Sequence, residues 1–154
     1  MRYAENTTVS ASQTKYEIEK VLTNHGASHF ATFTSPGEAK IGFRFKERNF
    51  LIPIPLPDPD DKVFTLTPEK RFERTPAQAK KAYEDEINRR WRCMLITVKS
   101  AVEMCEMGVF TIEQAFLAWT ALPGGQTVGE ALETQIDDAC RGRGFLALMP
   151  AEKG

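Results

Sequence analysis

The spacing of apolar positions changes twice along the chain, and each change predicts a new kind of element. From about Ala11 to His25, the residues Ile18, Val21, Leu22 and His25 recur at three- and four-residue intervals, the period of an amphipathic helix. Ser10 with Gln13 supplies a capping-box start, and Ser12 is a second possible cap. Asn24-His25-Gly26 supplies the stop, because Gly26 enters the left-handed conformation without steric cost. From Ser28 the period shortens to two. Residues 28–34 and 39–46 read as strands joined by the turn Ser35-Pro36-Gly37, and residues 49–54 read as a third strand after Glu47-Arg48. In the second strand Ile41, Phe43 and Phe45 share one face, and Lys40, Gly42, Arg44 and Lys46 share the other. Phe50, Ile52 and Ile54 form the apolar face of the third. Pro53 and Pro55 lack backbone donors, which places that strand at a sheet edge.

Residues 55–74 form a connection of about twenty residues, unusually long for a compact domain. The alternation of Pro55, Pro57 and Pro59 with Leu56, Asp58 and Asp60 favours an extended, polyproline-like path. Val63, Phe64 and Leu66 are expected to pin it to the core as a short extra strand. Helical spacing then returns. Thr75-Pro76-Ala77-Gln78 combines an N-cap, a proline at the first helical position and a capping box. Tyr83, Ile87, Trp91, Met94, Val98, Ala101 and Cys105 follow on one stripe, and the helix can run to Met107 before Gly108 stops it. About 30 residues make a helix roughly 45 Å long. That exceeds one small core, so the expectation is either a kink or packing against a second copy, a homo-oligomer built through this helix. A third helix is expected from Thr111 with Gln114 to Leu122-Pro123. A fourth is expected from Thr127 with Glu130 to the run Arg141-Gly142-Arg143-Gly144, with the stripe Val128, Leu132, Ile136 and Cys140. The apolar tail Phe145 to Met149 should dock on the body. The fold class is therefore α+β. It comprises an N-terminal helix, a three-stranded antiparallel sheet, one long helix and two shorter C-terminal helices, in a single domain over 1–154. Residues 11–74 supply helix, sheet and connection, and residues 75–149 the helical part.

Composition narrows the class. The chain has 154 residues, 42% hydrophobic and 27% charged, ordinary globular values that argue against disorder and collagen-like repeats. No apolar run approaches the roughly 20 residues of a membrane-spanning helix. No apolar signal segment follows Met1. Three cysteines (Cys93, Cys105 and Cys140) are an odd number without paired spacing, and they fall at or near apolar helix positions. They read as reduced, buried thiols in a cytoplasmic protein.

Charge changes the picture more. The formal net charge is −1, which excludes a strongly basic nucleic-acid condenser. That balance hides a segregation. Residues 62–99 carry ten bases and five acids, whereas residues 100–140 carry seven acids and no base. At 100° per residue, Lys81, Asn88, Arg92 and Lys99 fall in one stripe opposite the apolar face of the long helix. Lys40, Arg44 and Lys46 share the non-core face of the second strand, with Gly42 among them to let a phosphate or another backbone approach. Joined at one edge, the two rows would make a track for a polyanion. The candidate nucleic-acid-binding residues are Lys40, Arg44, Lys46 and Arg48, with Lys81, Arg89, Arg92 and Lys99 as a second row. Trp91 sits on the apolar face and is expected in the core, with the stem of Arg90 packed beside it. Tyr3 and Phe30 are the aromatics left for base stacking.

Signals for catalysis are weak, and neither a catalytic residue nor a metal or cofactor is expected. His25 and His29 are separated by the helix-breaking Gly26, so they do not share a face as metal ligands should. Asp58, Asp60 and Asp61 offer hard oxygen ligands, yet the prolines between them predict a solvated loop, and Glu69-Lys70 lacks the spacing of a nuclease carboxylate pattern. Neither a nucleophile elbow nor a glycine-rich phosphate loop is present.

The order of helix, three antiparallel strands and long helix resembles double-stranded-RNA-binding domains, with Lys80 and Lys81 near the start of the last helix. It also resembles phage recombination annealing proteins, which build a strand meander onto a long helix. A resemblance in sequence is to a group of small uncharacterised phage and prophage proteins. It is carried by residues 3–10 (Tyr-Ala-Glu-Asn-Thr-Thr-Val-Ser), by residues 39–45 (Ala-Lys-Ile-Gly-Phe-Arg-Phe), by residues 52–57 (Ile-Pro-Ile-Pro-Leu-Pro) and by Arg90-Trp91-Arg92. That resemblance implies a mobile element inside a bacterial cell and carries no particular chemistry. Two functions follow as the main expectations, with a self-assembling structural protein, suggested by the overlong helix, as a third. One is a non-enzymatic nucleic-acid-binding protein of a phage or prophage in DNA metabolism, with DNA favoured over RNA. The other is an inhibitor or adaptor that binds a host defence or replication protein, its acidic helices from Glu103 to Asp138 imitating nucleic acid.

Overall fold

A computed structural model describes residues 3–4, 7–69 and 72–142 and has the α+β architecture the periodicity predicts. Helix α1 spans Ala11–Asn24. Its first turn is closed by the Gln13 amide donating to the Ser10 hydroxyl at 3.1 Å, and it gives way at Gly26, whose φ is +113°. Strands β1 (His29–Ser35), β2 (Glu38–Phe45) and β3 (Arg48–Pro55) form an antiparallel meander in that order. β3 is an edge strand, as its two prolines require. One cross-strand row holds Phe30, Phe43 and Phe50, the next Thr32, Ile41 and Ile52, and a third Thr34, Ala39 and Ile54. This face of the sheet packs against Ile18 and Leu22 of α1 and against Trp91, Leu95, Val98 and Val102 of α3 (Pro76–Glu106). Each large side chain taken out of water there contributes roughly 1.5–3 kcal/mol.

Helix α3 begins with the reciprocal Thr75–Gln78 cap and Pro76, and it ends before Gly108, at φ +76°. It is one uninterrupted helix of 31 residues. Its four buried residues all lie from Trp91 onward, so its first turns overhang the sheet. The chain itself covers that overhang. The connection after β3 folds back as α2 (Lys62–Thr65) and buries Phe64 edge-on to Tyr83, with ring centroids 5.4 Å apart. Arg74 ties the segment down by donating to the carbonyls of Phe64 and Val63 at 3.0 and 3.4 Å. The expected extra strand is thus a helical turn, with Val63 exposed and only a single bridge from Leu66 to Glu73. The aspartates are the cause. Asp58 accepts the Asp60 amide and Asp61 the Val63 amide, both at 2.9 Å, and such side-chain acceptors turn the backbone where proline alternation alone would extend it. Phe64 on Tyr83 thus covers part of the overhang from within the chain.

The expected third helix is shorter than its cap suggests. α4 (Ile112–Ala115) passes into a 3₁₀ turn at Leu117–Trp119. Thr120 and Ala121 then find partners on the edge of β3, through a bridge to Phe50 and an amide donated to the Asn49 carbonyl at 2.8 Å. α5 (Val128–Gly142) starts at the Thr127–Glu130 capping box. It rests on the 3₁₀ turn at Gly129, where a Cβ would meet the Ala118 carbonyl oxygen at 3.1 Å. Its apolar stripe is exposed, with Leu132 at 39% and Ile136 at 55%. The tail from Phe145 to Met149 lies outside the described residues. No helix among the described residues is long and apolar enough to cross a membrane.

Candidate nucleic-acid interface on the open sheet face

Strand alternation sends every second sheet residue away from the helices. The outward rows are His29–Arg44–Asn49, Ala31–Gly42–Leu51, Phe33–Lys40–Pro53 and Ser35–Glu38–Pro55. His29, Ala31, Phe33, Arg44 and Asn49 are exposed, so this face is open to solvent. A shallow depression of about 420 Å³ lies over its middle rows, around Gly42. A Cβ at Gly42 would stand 3.3 Å from both Phe33 Cε2 and Leu51 Cδ2, so two apolar side chains close in above the glycine. Phe33 nonetheless keeps 54% of its surface accessible.

Of the four strand bases singled out by sequence, two occupy this face. Lys40 projects from it with Nζ 3.6 Å from Glu38. Arg44 projects two rows away and has no carboxylate partner among the described residues. Lys46 does not share the face. β2 ends at Phe45 and Lys46 turns away at φ +54°, so its ammonium stands over the Phe45 ring, 5.4 Å from the centroid, and 3.4 Å from Glu113. A backbone N–H of Glu113 itself, and then Lys46, hold that carboxyl below the usual carboxylate range. Arg48 opens β3 opposite Phe45, exposed and likewise without a carboxylate partner among the described residues.

The helix row does not join the strand row, because α3 lies on the opposite side of the sheet. Most of its cations are also committed locally. Lys81 pairs with Asp85 at 3.1 Å. Arg89 holds Glu86 through two bonds, at 2.9 and 2.8 Å, and Arg90 donates to the same carboxylate at 3.1 Å while reaching the Pro55 carbonyl. The hydrogen bond from Arg89, seconded by that from Arg90, keeps the Glu86 carboxyl below its ordinary value against the opposing effect of burial. The stripe of Asn88 and Arg92 does not face water opposite the core. Asn88 accepts the Ala11 amide at 2.9 Å, and Arg92 donates to Glu17 at 2.9 Å and Thr14 at 3.4 Å. α1 packs on the flank of α3 that the helical wheel left to solvent. Lys99 is exposed.

Trp91 is buried in the core as expected, with the Lys15 ammonium 4.7 Å from its ring centroid. Tyr3 is exposed, but Phe30 faces inward opposite Phe43 and is partly buried. The outward aromatic is Phe33, which the sequence reading passed over. Its signal was the odd spacing: residues three apart on a strand point to opposite faces, so placing Phe30 inward sends Phe33 outward.

Other reactive side chains are separated. His25 stacks on Phe45 and stands 3.5 Å from Glu106, whereas the His29 ring contacts the Ser28 hydroxyl at 2.9 Å. Among the described residues, no group of three or more His, Cys, Asp or Glu could hold a metal ion. Cys93 and Cys105 are partly buried, but Cys140 is exposed, because α5 buries none of its stripe. Burial, with Glu113 and Glu106 nearby, pushes the Cys105 thiol up, which makes it a poor nucleophile at neutral pH. Beside the open face, Glu130, Glu133 and Asp137 of α5 share a depression of about 380 Å³ with Pro53 and Trp119, so an acidic wall flanks the β3 edge. In comparisons with protein families, known proteins and solved structures the chain matches none, so a functional reading must come from this geometry.

Proposed function

We propose that the protein is a non-enzymatic nucleic-acid-binding protein of a phage or prophage, acting in DNA metabolism inside a bacterial cell through the outer face of its sheet. The observation that carries the reading is the pair of cations, Lys40 and Arg44, on an open face whose middle position is Gly42. Phe33 and Leu51 close over Gly42 between the two cations, and Arg44 has no carboxylate partner among the described residues to compete with phosphate. Arg48 is exposed at the start of β3, but it pairs with Phe45 of the inward set and does not extend the outer rows. Lys81, Arg89 and Arg92 are left out, since α3 lies on the other side of the sheet from this face. The mobile-element setting rests on the sequence resemblance alone. Anisotropy titrations of labelled DNA and RNA across salt concentration test the proposal. Lys40→Ala and Arg44→Ala should each lower the salt slope by about one, while Lys81→Ala leaves it unchanged. Equal slopes for all three variants would remove the outer face from the reading.

A second reading is favoured by α5. This helix buries no residue, exposes Leu132 and Ile136, and carries Glu130, Glu133, Asp137 and Asp138. An amphipathic acidic helix of that kind suits a host protein with a basic, apolar groove. Charge reversal in α5 that abolishes capture of one host protein, with nucleic-acid binding absent at low salt, would favour the inhibitor or adaptor over the nucleic-acid binder.

A further inference from the structure

We infer that the open sheet face takes unpaired nucleic acid, with one base stacked on Phe33, in preference to duplex. The inference rests on the reading of this face as a nucleic-acid surface and specifies its substrate class. Phe33 lies between the row that carries Arg44 and the end of the sheet that carries Ser35 and Glu38. Its ring edge reaches Gly42, held from below by a backbone that has no side chain there, while 54% of the residue remains in water. An exposed phenylalanine supported on one side by the sheet offers its remaining surface as a platform for a flat, apolar partner. Lys40 is its direct cross-strand neighbour, and Arg44 stands four residues farther along β2, about 13 Å at the rise of a strand. A base on the ring therefore leaves its backbone between two cations. Leu51 extends the apolar floor beyond Gly42, and His29 and Asn49 flank Arg44 with groups that can hydrogen-bond to base edges.

Duplex fits this surface poorly on two grounds. In a double helix the base faces are covered by neighbouring pairs, and only edges are offered to protein. A duplex also asks for a row of cations along its phosphates, and the long-helix row that would extend the track is on the other layer of the fold and largely paired with carboxylates. Unpaired strands present the base faces that an aromatic can use, in DNA and RNA alike.

The test compares labelled oligothymidylate, oligouridylate and a duplex of equal length by fluorescence anisotropy on the full chain. The expected result is tighter binding of the single strands than of the duplex. Phe33→Ala should weaken single-strand binding by about tenfold, leaving the salt slope and duplex affinity unchanged, because stacking involves no phosphate. Phe33→Trp should restore the affinity, and its new indole emission should change when either oligonucleotide binds. Gly42→Val, whose side chain must displace Phe33 or Leu51, should imitate Phe33→Ala without altering charge. Binding of duplex as tightly as of single strands, with Phe33→Ala equal to the native chain, overturns this inference and leaves the broader reading standing. Binding of no probe at low salt overturns both. Loss of affinity in Phe33→Ala for both oligothymidylate and oligouridylate supports it, whichever of the two binds more tightly.

Discussion

Arg92 of α3 donates to Glu17 of α1 at 2.9 Å, and the same guanidinium nitrogen reaches the fully buried hydroxyl of Thr14 at 3.4 Å. This contact closes the seam between the two helices and gives Thr14 a side-chain partner. The residue thus belongs to the scaffold, although its place on the helical wheel suggests a phosphate ligand. Arg92→Ala should cost about 1 kcal/mol, since the pair is only partly buried, and lower the melting temperature by about 2–4 °C. It should leave the salt dependence of any nucleic-acid binding unchanged. Arg44→Ala should do the reverse, with no loss of melting temperature and a shallower salt slope. Thermal unfolding and anisotropy on the same two preparations check both halves.

Glu86 serves two guanidiniums at once, and its pH dependence has a definite sign. The folded chain holds its carboxyl below the ordinary value, chiefly through Arg89. Folding therefore favours the ionised form, and the resulting stability is present above the unfolded pKa of about 4.3 and is lost as pH falls through the lower folded value. Glu86→Gln keeps an acceptor but removes the charge. The melting temperature of the variant should lie below that of the native chain at pH 7, and the two should converge as pH drops below about 4. A constant gap across that range would mean that shape, and not ionisation, sets the contribution of Glu86.

How much could be read from sequence depended on whether one local rule governed a segment. The caps at Ser10, Thr75, Thr111 and Thr127 all form, because a hydroxyl and the amide three residues on meet through local geometry alone. Alternation in Lys40–Phe45 placed Lys40, Gly42 and Arg44 outward, since β2 is flanked on both sides and its parity is unambiguous. Parity failed at Lys46, one residue past the end of the strand. Strand β1 was harder to read, because His29, Ala31, Thr32 and Thr34 are compatible with either face and its parity is settled only by Phe43 across the ladder. The wheel of α3 identified its apolar stripe but could not know that α1 covers Asn88 and Arg92, nor that α2 returns to cover Tyr83. Those are facts of packing between distant segments. The candidate site was accordingly half legible: its cations came from alternation, and its aromatic emerged only from the register.

Phe64 should act as a clasp for the overhanging start of α3. It is 4% exposed, sits edge-on to Tyr83, and belongs to a segment remote from the sheet core. Phe64→Ala removes a contact of about 3 kcal/mol that is spent locally. Native-state hydrogen exchange should quicken by about a hundredfold for amides of residues 79–86, while amides of residues 94–102 keep their protection. Equal acceleration along the whole helix would show that the overhang and the core open as one unit.

The attachment of α5 rests on its first turn, where the Val128 amide donates to the Thr120 carbonyl at 2.9 Å and Gly129 lies against Ala118. The helix buries no residue of its own, and its first turn touches the 3₁₀ segment where Gly129 faces Ala118. A side chain at Gly129 would stand 3.1 Å from the Ala118 carbonyl oxygen and 3.4 Å from its Cβ, and a backbone oxygen in a bonded turn cannot swing aside as a flexible side chain could. Gly129→Val should therefore push α5 off the body while the sheet and α3 remain folded. Limited proteolysis should then cut near Leu132 and Ile136 at protease levels that leave the native chain whole, with the main melting transition unmoved. Thr127→Ala, which removes the cap hydroxyl and costs about 1 kcal/mol, should loosen the same helix more mildly. If Gly129→Val instead lowers the main transition, then α5 is part of the cooperative core, and its exposed Leu132 and Ile136 mark a helix held too firmly to detach for a partner.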